Sequence, residues 1–386
     1  NGLAAASMTR QALIRLGIPA RVVILGTPDE ENEAGKHTLL QAGALNDVDV
    51  WFMAHPTSTN VVQPMNARIN AISSFSAPTH EEVVRKAYDV LVAIHDRVAA
   101  GLPGTSSSVV PVEDVGMFAS NIVQSQISLG ILGTTVDAVD QLVSSILGST
   151  YPGVTFTVAE DTITTISGFS GVNFTAHGPG GHASENTKSP LVLTIETFHA
   201  LYTQEGVSFY LPGNATSSAL DITFDIRSCY TSDLDAVLDV VTGVIGEKAG
   251  SISTDTVYPA LEVTPFLPDV FIDLFKTAAY SPSQSWPVST FAPASTDASW
   301  VQGAVVDKTT HALLGADRVV FHPNFNICEP GGGMCAFNDE PLFEQVARTE
   351  YAYTRTEIVA RALADLAVLL LNDGAMMTNT TRILRK

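Results

Sequence analysis

Apolar runs and helical stretches alternate at the start of the chain. Residues 1–18 have a helical pattern, and the apolar run at 20–26 predicts a buried strand. A helical stretch at 36–44 leads to a second apolar strand at 48–54. Strand, helix and strand at this spacing predict a βαβ unit with two parallel, neighbouring strands.

The middle of the chain repeats one order of elements, with a period of about 100 residues. The first copy predicts a strand, a helix, two strands, a helix and a strand, at 66–75, 80–99, 106–117, 122–132, 136–147 and 154–158. The second copy predicts strands at 172–176, 219–227 and 252–263, with helices at 190–201 and 234–248. The period is too long for a solenoid and suits a duplicated small α+β domain. Each copy is expected to form a four-stranded sheet with two helices on one face.

The last part of the chain returns to helix, loop and strand, and it ends in a long predicted helix at 340–371. We interpret it as the second half of the first domain, which the duplicated insert interrupts. The expected fold class is α/β, and residues 1–63 and 266–386 form one domain. Residues 64–160 and 161–265 are the two copies of the insert.

Composition and charge narrow the classes of function. Hydrophobic residues make up 45% and charged residues 16% of the 386 residues, which is typical of a globular protein. The net charge of −20 argues against nucleic acid and anionic membranes as partners, because both would repel it. No apolar run approaches the roughly 20 residues that span a bilayer. The three cysteines do not predict a disulfide framework. The compartment is left open, with the cytoplasm favoured.

Four carboxylates follow the first predicted strand within one loop: Asp29, Glu30, Glu31 and Glu33. Because like charges this close repel, a helix N-terminus, solvent or a cation is expected to compensate them. One interpretation is an acidic helix start, where carboxylates stabilise the helix dipole. The other is a metal site in which one Glu binds a divalent cation and its neighbour faces the metal-bound water.

Two histidines are further candidates. His55 follows the second predicted strand, and ligands gather beyond the carboxyl ends of parallel strands, although a lone His is often structural. His182 follows a glycine-rich segment that could be a simple tight turn, and the Lys and Ser/Thr of a phosphate-binding loop are absent. Residues 168–171 lack the Gly-x-Ser-x-Gly spacing, so a serine hydrolase receives little weight.

Several short motifs, in this order and spacing, resemble those of the metallopeptidase family of aminoacylases, carnosine-type dipeptidases and hippurate-type amidohydrolases. They are Gly26-Thr-Pro-Asp-Glu-Glu31, Met53-Ala-His-Pro56, Phe174-Thr-Ala-His-Gly-Pro-Gly-Gly-His-Ala183, Ser295-Thr-Asp297 and Phe321-His-Pro323. The resemblance implies a zinc-exopeptidase-like catalytic domain with two zinc ions, interrupted by a lid domain used for dimerisation. It implies a hydrolase that cleaves an amide bond of dipeptides or N-acyl amino acids.

The resemblance also implies a role for each matching residue. Glu30 would be the general base, Glu31 and His55 would be metal ligands, and His182 would polarise the scissile carbonyl. Asn214 and Arg227 would bind substrate.

The second copy is taken as the catalytic lid because it holds this complete set. The first copy offers His80 and Asn121 but no Arg near residues 132–135. A duplicated lid could replace a partner subunit and give a monomer; otherwise a homodimer is expected.

Two ligand regions differ from the family pattern. Asn1 resembles the last residue of a family motif whose metal-binding Cys and His would lie upstream. The usual C-terminal His ligand is replaced, and Asp339 occupies the nearest position as an oxygen ligand. His322 matches a different family position and is given no ligand role. The alternative function is therefore a degenerate, non-catalytic member that acts as a binding or scaffold protein.

Overall fold

The computed structural model describes most of the chain. The described residues are 1–31, 33–104, 107–112, 122–148, 151, 153–161, 171–182, 190–212, 217–248, 251–277, 280, 285–290, 294–307, 310, 313–331, 335–336, 338 and 341–384. The helices are α1 Gly2–Leu16, α2 Gly35–Gln41, α3 His80–Ala100, α4 Val136–Leu147, α5 Pro190–Tyr202, α6 Thr231–Glu247, α7 Leu267–Phe275, α8 Ala298–Gln302, α9 Pro341–Ala347, α10 Glu350–Asn372 and α11 Gly374–Thr381. The strands are β1 Val50–Phe52, β2 His55–Thr57, β3 Val61–Val62, β4 Ala67–Ser76, β5 Ser108–Val112, β6 Ile122–Val123, β7 Gln126–Leu132, β8 Thr155–Asp161, β9 Gly171–His177, β10 Gly181–His182, β11 Ser208–Tyr210, β12 Ala219–Ser228, β13 Ser251–Thr254, β14 Val305–Val306, β15 Leu313–Gly315, β16 Val319–Phe321 and β17 Pro323–Asn326.

The chain divides into two compact units and passes between them four times. The first unit comprises Asn1–Ala67, Cys229–Ser232 and Tyr258–Lys386, and the second comprises Arg68–Ser228 and Asp233–Val257. Both units mix helices and sheets, so the α/β class is confirmed at this coarse level.

Short parallel strand pairs form the centre of the first unit. β1 pairs in parallel with β16, and β17 pairs in parallel with β2 and antiparallel with β3. An aromatic cluster packs against this centre, and Phe271 contacts Phe275, Trp286 and Phe321 at ring-centroid distances of 5.0 to 5.1 Å. Rings of this size dominate core burial. The buried face of α10 joins the same core.

The prediction of a strand at 20–26 is wrong. Within the described residues this segment makes no backbone–backbone hydrogen bond, and it has no assigned strand structure. Val23 is 42% exposed and Ile24 is 54% exposed. The parallel neighbour of β1 is β16 instead, so the expected βαβ pairing is wrong. An apolar pattern favours a strand, but a strand also needs a ladder partner, and local sequence does not supply one.

The second unit contains two four-stranded sheets, with strand orders β13-β4-β12-β5 and β11-β7-β9-β8. Each order mixes strands from both halves of the repeat. The elements β7, α4, β8, β9, α5 and β11 form a unit nested between β5 and β12. The expectation that each copy builds its own sheet is therefore not confirmed. Consecutive and nested arrangements share one order of strands and helices, so hydrophobic periodicity cannot separate them.

The helices of the second unit follow their sequence signals closely. α3 begins after Thr79, whose hydroxyl accepts a hydrogen bond from the backbone of Glu82, while the Glu82 side chain bonds back to Thr79. This capping box satisfies two backbone donors that the first turn leaves open. The buried residues of α3 recur at helical spacing: Val83, Val84, Ala87, Tyr88, Val90, Leu91 and Ile94.

Two further expectations change at the C-terminal end. The helix predicted at 340–371 is two helices, α9 and α10, because Thr349 caps a new start and accepts a 3.1 Å hydrogen bond from Ala352 N. Cys328 and Cys335 form a disulfide with a Cα–Cα distance of 5.0 Å, and Cys229 is not part of it. Three cysteines are too few for a framework of several disulfides, but two of them can still form a single disulfide. None of the helices among the described residues has the length and apolar character that a bilayer crossing requires.

Candidate functional site

The loop after residue 28 has a tightly constrained backbone. Asp29 and Ala34 have positive φ angles of 59° and 52°, a region that costs about 1 kcal/mol or more for residues other than glycine. Gly35 N donates a 3.0 Å hydrogen bond to Asp29 O and closes the loop. A Cβ atom on Gly35 would lie 1.8 Å from the Pro28 carbonyl oxygen, so only glycine fits.

Tyr258 fastens both ends of this loop. Its hydroxyl donates a 2.7 Å hydrogen bond to Glu30 O and accepts a 3.1 Å hydrogen bond from Ala34 N. Tyr258 is 2% exposed, so both bonds lie away from solvent. Non-glycine residues in unfavourable backbone regions persist where surrounding contacts hold them, and here one phenol supplies those contacts.

Glu30 lies in an environment that favours its protonated form. Burial raises the pKa of its carboxyl to about 7, and the neighbouring charges of Glu31 and Asp297 act in the same direction. A hydrogen bond with Thr296 and the charge of Lys36 oppose that rise in pKa. A carboxyl group with these neighbours can exchange a proton near neutral pH.

A buried ion pair lies directly beside Glu30. Lys36 Nζ is 2.5 Å from Asp297 Oδ1, and Lys36 N donates a 2.9 Å hydrogen bond to Asp297 Oδ2. The two side chains are 2% and 0% exposed. Asp297 thus binds both the backbone and the side chain at the start of α2, and it joins the segment around 295–297 to the Glu30 loop.

His55 stands at the start of β2, close to the charge of Glu31. Burial lowers the pKa of His55, and the Glu31 carboxylate opposes that change. The His55 ring stacks on His322, with ring centroids 5.9 Å apart and planes inclined by 25°. The structure therefore brings Glu30, Glu31 and His55 into one neighbourhood, even though no β-ladder among the described residues joins the segments that precede them.

The structure describes the remaining predicted site residues only in part. Asn214 and Asp339 lie outside the described residues, and of His182 only the backbone is described, in β10 opposite Ile122. Asn338, next to Asp339, donates a 2.8 Å hydrogen bond from Nδ2 to Pro56 O. The roles of these residues stay predictions.

Arg227 belongs to the second unit and lies in a buried ion network. Its Nε and Nη2 donate to the two carboxylate oxygens of Asp225 at 2.6 and 3.1 Å, and Arg68 Nε donates to the same carboxylate at 2.7 Å. The two guanidinium groups hold the pKa of Asp225 below its ordinary value against the opposing effect of burial. Arg227 is 2% exposed, and its substrate-binding role stays a prediction.

The donors around His55 fit a divalent metal ion in their chemistry. Glu31 offers carboxylate oxygens, and His55 Nδ1 is buried and has no hydrogen-bond partner within the described part of the chain. Carboxylate and imidazole are common ligands of zinc. No group of three or more His, Cys, Asp or Glu among the described residues is placed to hold a metal ion. A complete site would need a further ligand.

Sequence comparison adds a partial match. No family model matches the chain. A stretch of 61 residues is 48% identical to the mouse (Mus musculus) Xaa-Arg dipeptidase, and 62 residues are 50% identical to the human (Homo sapiens) Xaa-Arg dipeptidase. The chain resembles these dipeptidases. Each match covers 15% of this chain and only 14% of the relative's own length, so the resemblance is confirmed over a part of the chain.

Several solved structures superpose weakly on the chain. The aminobenzoyl-glutamate utilization protein of Klebsiella pneumoniae has a TM-score of 0.44 at 11% identity, covering 95% of this chain and 66% of that protein. Aminopeptidase PepT of Bacillus cereus has a TM-score of 0.36 at 12% identity, covering 95% and 70%.

Sequence reasoning missed three contributors to the site. Tyr258 and Lys36 carry no local motif, because their importance depends on partners that lie 228 and 261 residues away in sequence. His322 was given no role, although its position between two strands could have indicated a buried residue. Contacts over such separations are set by the fold.

Proposed function

We propose that the protein is a metal-dependent hydrolase that cleaves the amide bond of dipeptides or N-acyl amino acids. The observation that carries the proposal is the convergence of Glu30, Glu31 and His55 from two separate segments. The partial match to Xaa-Arg dipeptidases supports it independently. Dipeptides that end in arginine are therefore the first substrates to test, and a net charge of −20 would attract such cations.

Zinc, when bound by Glu31 and His55, would supply Lewis acidity and a water of lowered pKa. Glu30 would accept a proton at its carboxylate and pass it to the leaving amine. Lys36 and Asp297 would fix the Glu30 loop, and Tyr258 would hold its backbone. His182 would polarise the scissile carbonyl, while Asn214 and Arg227 would bind substrate and Asp339 would add an oxygen ligand. Two zinc ions are proposed.

A scaffold or binding function is the second candidate. The absence of a three-ligand group among the described residues favours it, because two ligands alone hold zinc weakly. Elemental analysis of the purified protein separates the candidates. About two zinc ions per chain support the enzyme, and none supports the scaffold.

The direct test of the enzyme is the change Glu30→Gln, measured with arginine-containing dipeptides, β-alanyl dipeptides and N-acyl amino acids. We expect hydrolysis to fall by about 100-fold or more, because the proton acceptor is lost, while zinc content is kept. Glu33→Gln removes an exposed carboxylate from the same loop and is the matched control, with activity expected near that of the unmodified protein. Normal activity in Glu30→Gln would refute the assignment.

The assembly is proposed to depend on the second unit. If one of its two four-stranded sheets replaces a lid from a partner, the protein is a monomer; otherwise it is a homodimer. Light scattering of the purified protein distinguishes the two states.

A further inference from the structure

Three segments of the chain match the acceptor pattern of N-linked glycosylation, Asn-x-Ser/Thr. They are Asn-Phe-Thr at 173–175, Asn-Ala-Thr at 214–216 and Asn-Thr-Thr at 379–381. Such triplets also arise by chance, so the pattern alone does not define a modification site. A usable site also needs an asparagine from which a bulky, hydrated glycan can extend into solvent.

Asn173 does not meet this requirement. It lies in β9, which is hydrogen-bonded to β7 on one side and to β8 on the other. Its side-chain oxygen Oδ1 is buried and has no hydrogen-bond partner in the described part of the chain. A glycan on this side chain would disturb the packing around the middle strand of a sheet. Asn214 lies outside the described residues.

Asn379 has the opposite environment, because it lies in α11 and is exposed to solvent. Ala375 and Arg382, about one turn before and after it, are exposed as well, so they continue the same exposed face. The next residue, Thr380, is 0% exposed, so the core contact of α11 lies on a different side of the helix. A glycan on Asn379 would therefore extend into solvent without displacing core side chains.

The disulfide is an independent indication of the compartment. Cys328 and Cys335 are bonded to each other, and Cys328 belongs to the hydrophobic core of the first unit. Structural disulfides form and persist in oxidising compartments such as the endoplasmic reticulum, and they are rare in cytosolic proteins. Proteins that pass through the same compartment also receive N-linked glycans. Both features indicate a secretory route, in place of the cytoplasm favoured from the sequence.

We propose that Asn379 carries an N-linked glycan, which the protein receives in the secretory pathway. The donor is an oligosaccharide linked to a lipid through pyrophosphate. Asn379 Nδ2 forms a C–N bond to C1 of the oligosaccharide, and the bond between C1 and the pyrophosphate oxygen breaks. The amide loses one proton, the lipid pyrophosphate leaves, and nothing is oxidised or reduced. The proposal is independent of the proposed hydrolase function, because it uses none of the candidate site residues.

The experiment is mass spectrometry of the protein purified from the organism that makes it, before and after peptide N-glycosidase treatment in heavy-oxygen water. This enzyme removes N-linked glycans and converts the attachment asparagine to a labelled aspartate. We expect the mass to fall by one glycan and residue 379 to become labelled aspartate. An unmodified Asn379 in the untreated protein would overturn the proposal. A label at residue 214 alone would keep the secretory route and refute Asn379 as the site.

Variants made in the same organism test the acceptor pattern. Asn379→Gln keeps a side-chain amide, and Thr381→Ala keeps the asparagine but removes the hydroxyl of the triplet, so both should lack the glycan. The matched control is Asn372→Gln, which changes an exposed asparagine outside any triplet and should keep the glycan. Loss of the glycan from the Asn372 variant, or its retention in the Asn379 variant, would contradict the assignment.

Discussion

Glu262 has a half-buried carboxyl group, and its backbone is held by the side chain of Gln302. Its N–H donates a 2.9 Å hydrogen bond to Gln302 Oε1, and its carbonyl accepts a 2.8 Å hydrogen bond from Gln302 Nε2. Burial raises the pKa of the Glu262 carboxyl from 4.5 to about 7. The folded state therefore binds more protons than the unfolded state between these two pH values.

The sign of the pH dependence follows from this difference in proton binding. Stability contributed by protonated Glu262 is fully present below about pH 4.5 and is lost as the pH rises to about 7. We expect Glu262→Gln to match the unmodified protein near pH 4.5 and to exceed its free energy of unfolding by about 1–2 kcal/mol at pH 8, a value reduced for solvent screening. Urea unfolding at several pH values measures this difference in the free energy of unfolding. The control is Glu357→Gln, which changes an exposed carboxylate. A difference that does not vary with pH would contradict the expectation.

At the same scale, sequence motifs indicated the candidate site residues but not the residues that hold their loop in place. Glu30, Glu31 and His55 lie in recognisable patterns, and the structure brings them together. Tyr258 and Lys36 fix the same loop through partners remote in sequence. No local pattern encodes such contacts, because they exist only once the fold has formed.

At the scale of elements, Gly130 marks a close approach within a sheet. It lies opposite Tyr210 in the register of β7 and β11, and a Cβ atom there would lie 2.2 Å from the Tyr210 ring. The Tyr210 hydroxyl also donates to Asp161, which restricts movement of the ring. Gly243, within α6, is exposed, and a Cβ atom there would meet nothing within 4 Å.

The same substitution should therefore have opposite effects at these two glycines. We expect Gly130→Ala to lower the free energy of unfolding by about 2–3 kcal/mol through overpacking. Gly243→Ala should raise it by about 0.5–1 kcal/mol, because alanine loses less backbone entropy in a helix. Urea denaturation of both variants measures the difference. Changes of the same sign in both would show that the packing around Tyr210 is wrongly described.

Elements whose structure depends mainly on local sequence were predicted well. The helix expected at 136–147 is α4, and that expected at 190–201 is α5 with one more residue. The strand expected at 20–26 fails because ladder pairing depends on a neighbour elsewhere in the chain. Helices satisfy their hydrogen bonds internally, and strands do not.

For the whole molecule, the sequence indicated an interrupted first domain and a repeated insert but not how the insert is threaded. The first unit does contain residues from both ends of the chain. The two sheets of the second unit are nested, an arrangement that has the same order of elements as a consecutive one. Distinguishing them requires knowledge of which strands pair, and pairing is a long-range property.

The most direct measurement of the central claim is anomalous X-ray diffraction at the zinc edge from crystals of the protein grown with zinc. We predict a zinc peak about 2.0–2.2 Å from a carboxylate oxygen of Glu31 and from a ring nitrogen of His55. A peak that contacts neither side chain, or no peak at full zinc saturation, would contradict the claim that these two segments form one metal site.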